Sequence, residues 1–236
     1  NSLRTGQAVE PRVITLGKQD LTHVGKAIIR PDAVAKAIGG AKYTDDLQFE
    51  GMLYARVLRA GIPSGILRTL DVSAAVQLEG VRAVLTAADL KHARLHGVYS
   101  KDWPILVGID ERVRYVGDAI AIVAAETQAI ADEAISLIKM VIEPRPVVSN
   151  PMLAAQPDAE KLHEKGNLLK KIKVGKGNLD EGFAQSDVIV EHTFFTPFME
   201  HLFMEPECSI AVSREDGGMD VYAGSQIPYE DRRQVA

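Results

Sequence analysis

Arg114-Tyr-Val-Gly-Asp-Ala-Ile-Ala-Ile-Val-Ala-Ala125 decides the fold. A polar turn, Arg114 to Asp118, runs into seven residues, Ala119 to Ala125, with no polar side chain among them. A strand apolar on both faces belongs in the middle of a sheet, covered on each side. The clearest helix signal in the chain comes directly after it. Thr127 is placed to cap that helix, and Ile130, Ala131, Ala134, Ile135 and Ile138 form one stripe at helical spacing. Gln128, Asp132, Glu133, Ser136 and Lys139 lie largely opposite. Met140 to Ile142 then predicts one more strand, ended by Pro144 and Pro146.

Upstream, Met52 to Arg59 alternates well enough for a strand, between Gly51 and the turn Gly61-Ile-Pro-Ser-Gly65. Ile66 to Leu70 predicts a second strand. Asp71 or Ser73 can cap a short helix over Ala74–Leu78, with Gly80 at its C-terminal end. Val81 to Thr86 reads as a strand and Ala87 to Leu90 as a helical turn. His92 to Ile109, with Trp103, reads as an irregular loop. The interleaved elements predict an α+β or α/β unit.

Four segments emerge: a leader or linker over 1–23, the first unit over 24–149, a polar, proline-punctuated linker over 150–167, and a second unit over 168–236. In the second, Asn178 can cap a short helix through Phe183, and Asp187 to Phe195 has the composition of a strand. Glu207–Arg214 and Met219–Ala223 predict a hairpin around Glu215-Asp-Gly-Gly218. Pro228 suits the first turn of a helix running to Ala236. The open-ended helix and the lack of an initial methionine predict a piece of a longer protein.

Composition removes whole classes of function. The 236 residues are 46% hydrophobic and 25% charged, which is ordinary for a globular chain and unlike collagen, coiled coil or disorder. The net charge of -5 argues against nucleic acid as a partner. No run approaches the ~20 apolar residues of a membrane span, so no membrane partner is expected. With one cysteine, Cys208, the chain cannot supply the ligands of an all-cysteine iron–sulfur cluster or a thiolate zinc site. Absent cysteine pairs and an absent signal sequence predict a cytoplasmic location.

The chemistry-bearing candidates are few. Gly61-Ile-Pro-Ser-Gly65 puts its serine at the wrong offset for a nucleophile elbow. Gly175-Lys-Gly177 lacks the third glycine of a dinucleotide loop. His201 and Glu205 stand four apart, but Pro206 and the β-like surroundings argue against a helix, so no metal site is assigned. Asp45-Asp46 reads as a solvated turn. Cys208 shares a strand face with Ile210 and Val212 and reads as buried packing. Gln226, in Gly224-Ser-Gln-Ile-Pro228, sits between a strand end and a helix start. That is where such proteins present polar groups to ligands, and also where a side chain closes a turn.

Seven segments, in one order, resemble the large molybdenum-binding subunit of the xanthine dehydrogenase and aldehyde oxidase family of molybdenum hydroxylases. They are Val24-Gly-Lys26 through Gly40-Ala-Lys-Tyr-Thr-Asp-Asp46, Gly51 to Arg59, Asp71 to Asp89, Val113 to Glu126, Gly177 to Glu191, Glu200 to Pro206, and Ser225-Gln226 with Arg232-Arg233. The resemblance implies an α+β chain: a hammerhead-like α/β domain, then the start of a mixed α+β molybdopterin-binding domain. It implies a parent enzyme with molybdopterin-bound molybdenum that hydroxylates N-heterocycles or aldehydes with water-derived oxygen. It implies a small-molecule substrate and iron–sulfur and flavin subunits or domains as partners, with homo-oligomerisation open. Gln226 matches the family's glutamine, whose amide donates to an oxygen ligand on molybdenum; an amide donates without adding charge. The family's glycine-rich cofactor loop and catalytic glutamate have no counterpart here, so no catalytic residue and no metal ligand is assigned, and the chain alone is expected to be inactive and cofactor-free. The family's Ser-Pro-His-Ala-His type stretch after the first strand is replaced by Ala60-Gly-Ile-Pro-Ser-Gly65, which predicts different contacts there. The alternative is a non-catalytic α+β interaction module docking onto partner subunits.

Overall fold

The computed structural model describes residues 22–92, 94–202 and 207–236. A short helix α1 (Ala33–Ala37) precedes β1 (Tyr54–Arg59), β2 (Gly65–Asp71), α2 (Ser73–Gln77) and β3 (Val81–Thr86). Next come β4 (Leu95–His96), β5 (Trp103–Pro104), β6 (Arg112–Val113), β7 (Ala119–Ala125), α3 (Gln128–Leu137) and β8 (Lys139–Pro144). The remainder holds α4 (Pro151–Ala154), α5 (Leu179–Ala184), β9 (Ser209–Ser213), β10 (Met219–Ala223) and α6 (Pro228–Val235). The leader expected over 1–23 lies almost wholly outside the described residues.

Two three-stranded sheets, β1-β7-β3 and β6-β2-β8, build the first unit. Every pairing is antiparallel, so the unit is α+β. The expected apolar strand is β7, and it is central. One face of it, Ala121 and Val123, packs under Ala75 of α2 and Ala134 of α3 with Ile138. On the other face Ile120 joins Leu67, Val107, Val113 and Ala60 in a second core. Coverage of that face is incomplete: Ile122 lies between Val57 and Leu85 in register, and those two are 36% and 43% exposed. The second sheet reaches only one end of β7.

The helix behaves as its stripe dictates. Thr127 Oγ1 accepts from Ile130 N–H at 3.2 Å, and Ala131 and Ala134 are fully buried. Ile130 and Ile135 are half-buried at the edge of the stripe. The helix stops at Leu137, which leaves Lys139 free to begin β8 beside β2.

The 92–109 stretch is less irregular than its composition suggests. His96 pairs with Trp103 and Leu95 with Pro104 in a two-residue ladder, and Leu106 and Val107 are buried. Asp118, itself 2% exposed, fixes this segment. Its Oδ1 accepts Trp103 Nε1–H at 2.9 Å, and its Oδ2 accepts Arg114 N–H at 2.6 Å and Tyr115 N–H at 3.4 Å. A buried carboxylate is tolerated when donors satisfy it.

Residues 150–167 connect, but they are tied down. Arg112 Nη1 donates to Glu160 Oε1 at 2.7 Å and Arg114 Nε to the Leu162 carbonyl at 2.9 Å. Asn167 accepts from Leu162 N–H and donates to the carbonyls of Ala154 and Glu160. The altered turn after β1 also has a partner. Ser64 is buried and accepts from Arg112 Nη2 at 3.2 Å, while Gly61 N–H donates to the Val116 carbonyl at 3.0 Å.

In the second unit Asn178 caps α5 as expected, accepting from Asp180 and Glu181 N–H at 3.1 and 3.3 Å. The hairpin β9–β10 forms, turned by Gly217 at φ 82° with Asp216 Oδ1 on Gly218 N–H. The strand expected over Asp187–Phe195 does not form. Its β-formers are right, but no neighbouring strand meets them among the described residues, and a strand exists only as a paired ladder.

Two measurements check this account. Ala134→Asp places an unpaired charge in a closed core and should cost more than about 3 kcal/mol in thermal or denaturant unfolding. Ile135→Asp, on the half-open edge, should cost visibly less. The second concerns Glu111. Burial raises its pKa, but the fork of Arg94 at 2.8 and 2.9 Å and the Gly108 N–H outweigh burial and hold the carboxyl below its ordinary 4.5. A depressed folded pKa contributes stability above the unfolded value and loses it as pH falls through the folded one. The melting temperature should therefore drop below about pH 4.5. Glu111→Gln should flatten that part of the curve.

Candidate functional site

Strand β10 ends at Ala223 and α6 begins at Pro228, and the four residues between form a turn. Ser225 Oγ accepts the Ile227 N–H at 3.0 Å, so serine closes this turn, not glutamine. Gln226 is exposed and makes no side-chain hydrogen bond among the described residues. It lines an open depression of ≈ 640 Å³ with Ile227, Pro228, Tyr229, Glu230 and Arg233. Glu230 carries a carboxyl held below its ordinary range by the Arg233 guanidinium one turn on. The depression thus has an amide, an internally neutralised ion pair, and apolar walls.

The hairpin before Gln226 and the helix after it lean on the first unit. The rings of Phe49 and Tyr222 stand 5.5 Å apart, and Gly97 N–H donates to Gln234 Oε1 at 3.3 Å. Cys208 faces inward with Ile210 and Val212, but all three are half-buried. Burial first, then the Asp45 carboxylate beside it, pushes the Cys208 thiol pKa up. Asp45 and Asp46 form a single turn of 3₁₀ helix with Thr44, not a free loop, and Asp46 accepts the Tyr43 N–H at 3.0 Å.

His201 is 90% exposed, with Nδ1 3.8 Å from Glu200, and Glu205, four residues on, lies outside the described residues. No group of three or more metal-ligating side chains occurs among the described residues. No helix among them is long and apolar enough to cross a membrane.

Residues 38–146 match the family model described as aldehyde oxidase and xanthine dehydrogenase, a/b hammerhead domain. Residues 162–236 match the molybdopterin cofactor-binding domain. The chain belongs to the xanthine dehydrogenase and aldehyde oxidase family. It is 42% identical over 208 residues to a probable xanthine dehydrogenase subunit of Bacillus subtilis, covering 88% of this chain and 28% of that protein. It is 34% identical over 221 residues to the nicotinate dehydrogenase large molybdopterin subunit of Eubacterium barkeri, covering 94% and 51%. Among solved structures it resembles quinoline 2-oxidoreductase from Pseudomonas putida 86, with TM-score 0.77 at 25% identity over 90% of this chain and 28% of that one. The chain thus spans between about a quarter and a half of the length of these relatives.

Gln226 falls inside the molybdopterin-binding match, and the two three-stranded sheets fall inside the hammerhead match. Sequence reasoning placed Gln226 between a strand end and a helix start, where it lies, but missed Ser225, whose hydroxyl takes the Ile227 N–H and closes the turn. It also missed the Asp118–Trp103 bond, since nothing in a linear spacing of fifteen residues signals it.

Proposed function

We propose that this chain forms part of a molybdenum hydroxylase that hydroxylates N-heterocycles or aldehydes, and that its Gln226 turn forms one wall of the molybdopterin site. The observation that carries this is the Gln226 amide, which has no side-chain partner among the described residues, in the segment matching a molybdopterin-binding domain, beside a turn that serine already closes. A spare neutral donor suits an oxygen-rich group, because it donates a hydrogen bond without titrating or adding charge. When bound, the molybdenum–pterin group supplies the redox and oxygen-insertion chemistry. The chain's own part is to hold the Gln226 N–H toward it, with Ser225 fixing the turn and Pro228 setting the start of α6. Iron–sulfur and flavin groups belong to partner subunits or domains, since one cysteine cannot ligate a cluster. Purified alone, the chain is expected to bind neither molybdenum, iron nor flavin.

A second reading, a non-catalytic module that docks onto partner subunits, has one observation in its favour. Phe194, Phe195 and Phe198 are 84–105% exposed in an apolar stretch that pairs with no strand among the described residues, which is how a docking surface looks.

The assembled enzyme separates the two. Gln226→Ala should lower turnover by about 10²–10³-fold, the usual cost of one preorganised donor at a reacting centre, with the melting temperature unchanged. Gln226→Glu should be at least as harmful, because it sets a negative charge beside oxygen ligands. Ser225→Ala should lower the melting temperature first. Wild-type turnover in Gln226→Ala would leave the docking module as the better reading.

A further inference from the structure

We infer that the first unit carries a binding slot for a planar aromatic anion, built around Trp103 and Arg59. The slot is a depression of ≈ 430 Å³ whose wall is aromatic and apolar, formed by Trp103, Tyr115, His96, Pro104 and Ile105. His96 and Trp103 stand opposite each other in the β4–β5 ladder, so their rings lie on one face of the ribbon. Tyr115 meets Trp103 edge-on at 5.6 Å between centroids. Such a wall favours a flat ring over a compact or flexible ligand.

Charge supplies the second half. Four guanidinium groups that brace this unit hold carboxylates: Arg56 with Asp132, Arg68 with Glu143, Arg94 with Glu111, Arg112 with Glu160; Arg114 instead donates to the Leu162 and Arg112 carbonyls and lies over the Trp103 ring, 6.0 Å from its centroid. Arg59 holds no carboxylate among the described residues. Its one bond there is from Nη1 to the Gly117 carbonyl at 2.8 Å, which anchors the fork at the rim of the slot and leaves further N–H donors. The carboxylate within the slot, Asp118, is buried, and the guanidinium that feels its charge is Arg114. Both Asp118 oxygens are engaged, by the Trp103 indole and by the Arg114 and Tyr115 amides. An aromatic wall beside an arginine that no described carboxylate grips fits a ring carrying a carboxylate, which Arg holds as a fork. The slot shares no lining residue with the Gln226 depression, and the inference does not rest on the molybdopterin reading.

Trp103 is the sole tryptophan, so its fluorescence reports on the slot directly. Benzoate titrated into the intact chain should quench it saturably, with a Kd on the order of 1 mM. Benzamide, the neutral isostere, should bind about tenfold more weakly, and inorganic phosphate should not compete. Arg59→Gln should erase the preference for benzoate while Arg59→Lys keeps part of it, with melting curves confirming that each variant is folded. Absence of saturable quenching would overturn the proposal, as would equal binding of benzoate and benzamide to the wild type. So would an unchanged preference in folded Arg59→Gln; if that variant fails to fold, the wild-type pair of titrations and Arg59→Lys decide alone.

Discussion

The fold hangs on one carboxylate. Asp118 sits where the polar turn becomes the central strand, and at 2% exposure it has no recourse to water. Its three donors come from the turn itself and from Trp103, fifteen residues upstream. Its backbone carbonyl accepts the Ala60 N–H at 2.9 Å, which joins the end of β1 to the same point. The start of β7 is thereby fixed against the β1 exit and the 92–109 segment at once. The register slip between Leu58 and Arg59 falls beside this junction, where β1 leaves β7 and the chain turns toward the second sheet. Arg114 then carries the constraint outward, through its bond to the Leu162 carbonyl, into the strap that leads to the second unit.

What sequence revealed and what it hid divide along physical lines. The strand Ala119–Ala125, the Thr127 cap, the α3 stripe, the Asn178 cap and the β9–β10 hairpin were all legible, because each is dictated by neighbours within a few residues. The two-sheet arrangement was not. β1 and β2 are joined by a short turn, yet they enter different sheets, and only long-range packing decides that. The Asp187–Phe195 stretch fails for the converse reason. Its local preference for strand is strong, but preference without a partner leaves the backbone groups unpaired, and the ladder does not form. The position of Gln226 between a strand end and a helix start was legible. That serine and not glutamine closes the turn was not, since it depends on which of two adjacent side chains takes the Ile227 N–H.

The two units differ in how they are held. The hammerhead has two cores of its own, one under the helices and one between the sheets. From 168 onward no described residue is fully buried. A short hairpin of this kind is marginal by itself. Its placement therefore depends on contacts with the first unit: the Phe49 ring against Tyr222, the Asp45 turn against Cys208, and the Gly97 amide on Gln234.

That dependence bears on the role proposed for Gln226. A hydrogen-bond donor works at a reacting centre only when held to within about half an ångström, and a donor on a turn inherits its precision from whatever braces the turn. Here the brace is divided. Ser225 fixes the local backbone, while α6 is located by Gln234 against the loop between β4 and β5. The same two strands present His96 and Trp103, and Trp103 is locked by Asp118. A continuous set of contacts thus runs from the buried carboxylate through the indole and the Gly97 loop to the helix that follows Gln226. The placement of the amide is an outcome of hammerhead packing as much as of its own segment, which gives a physical reason for the two domains to occur side by side in one chain.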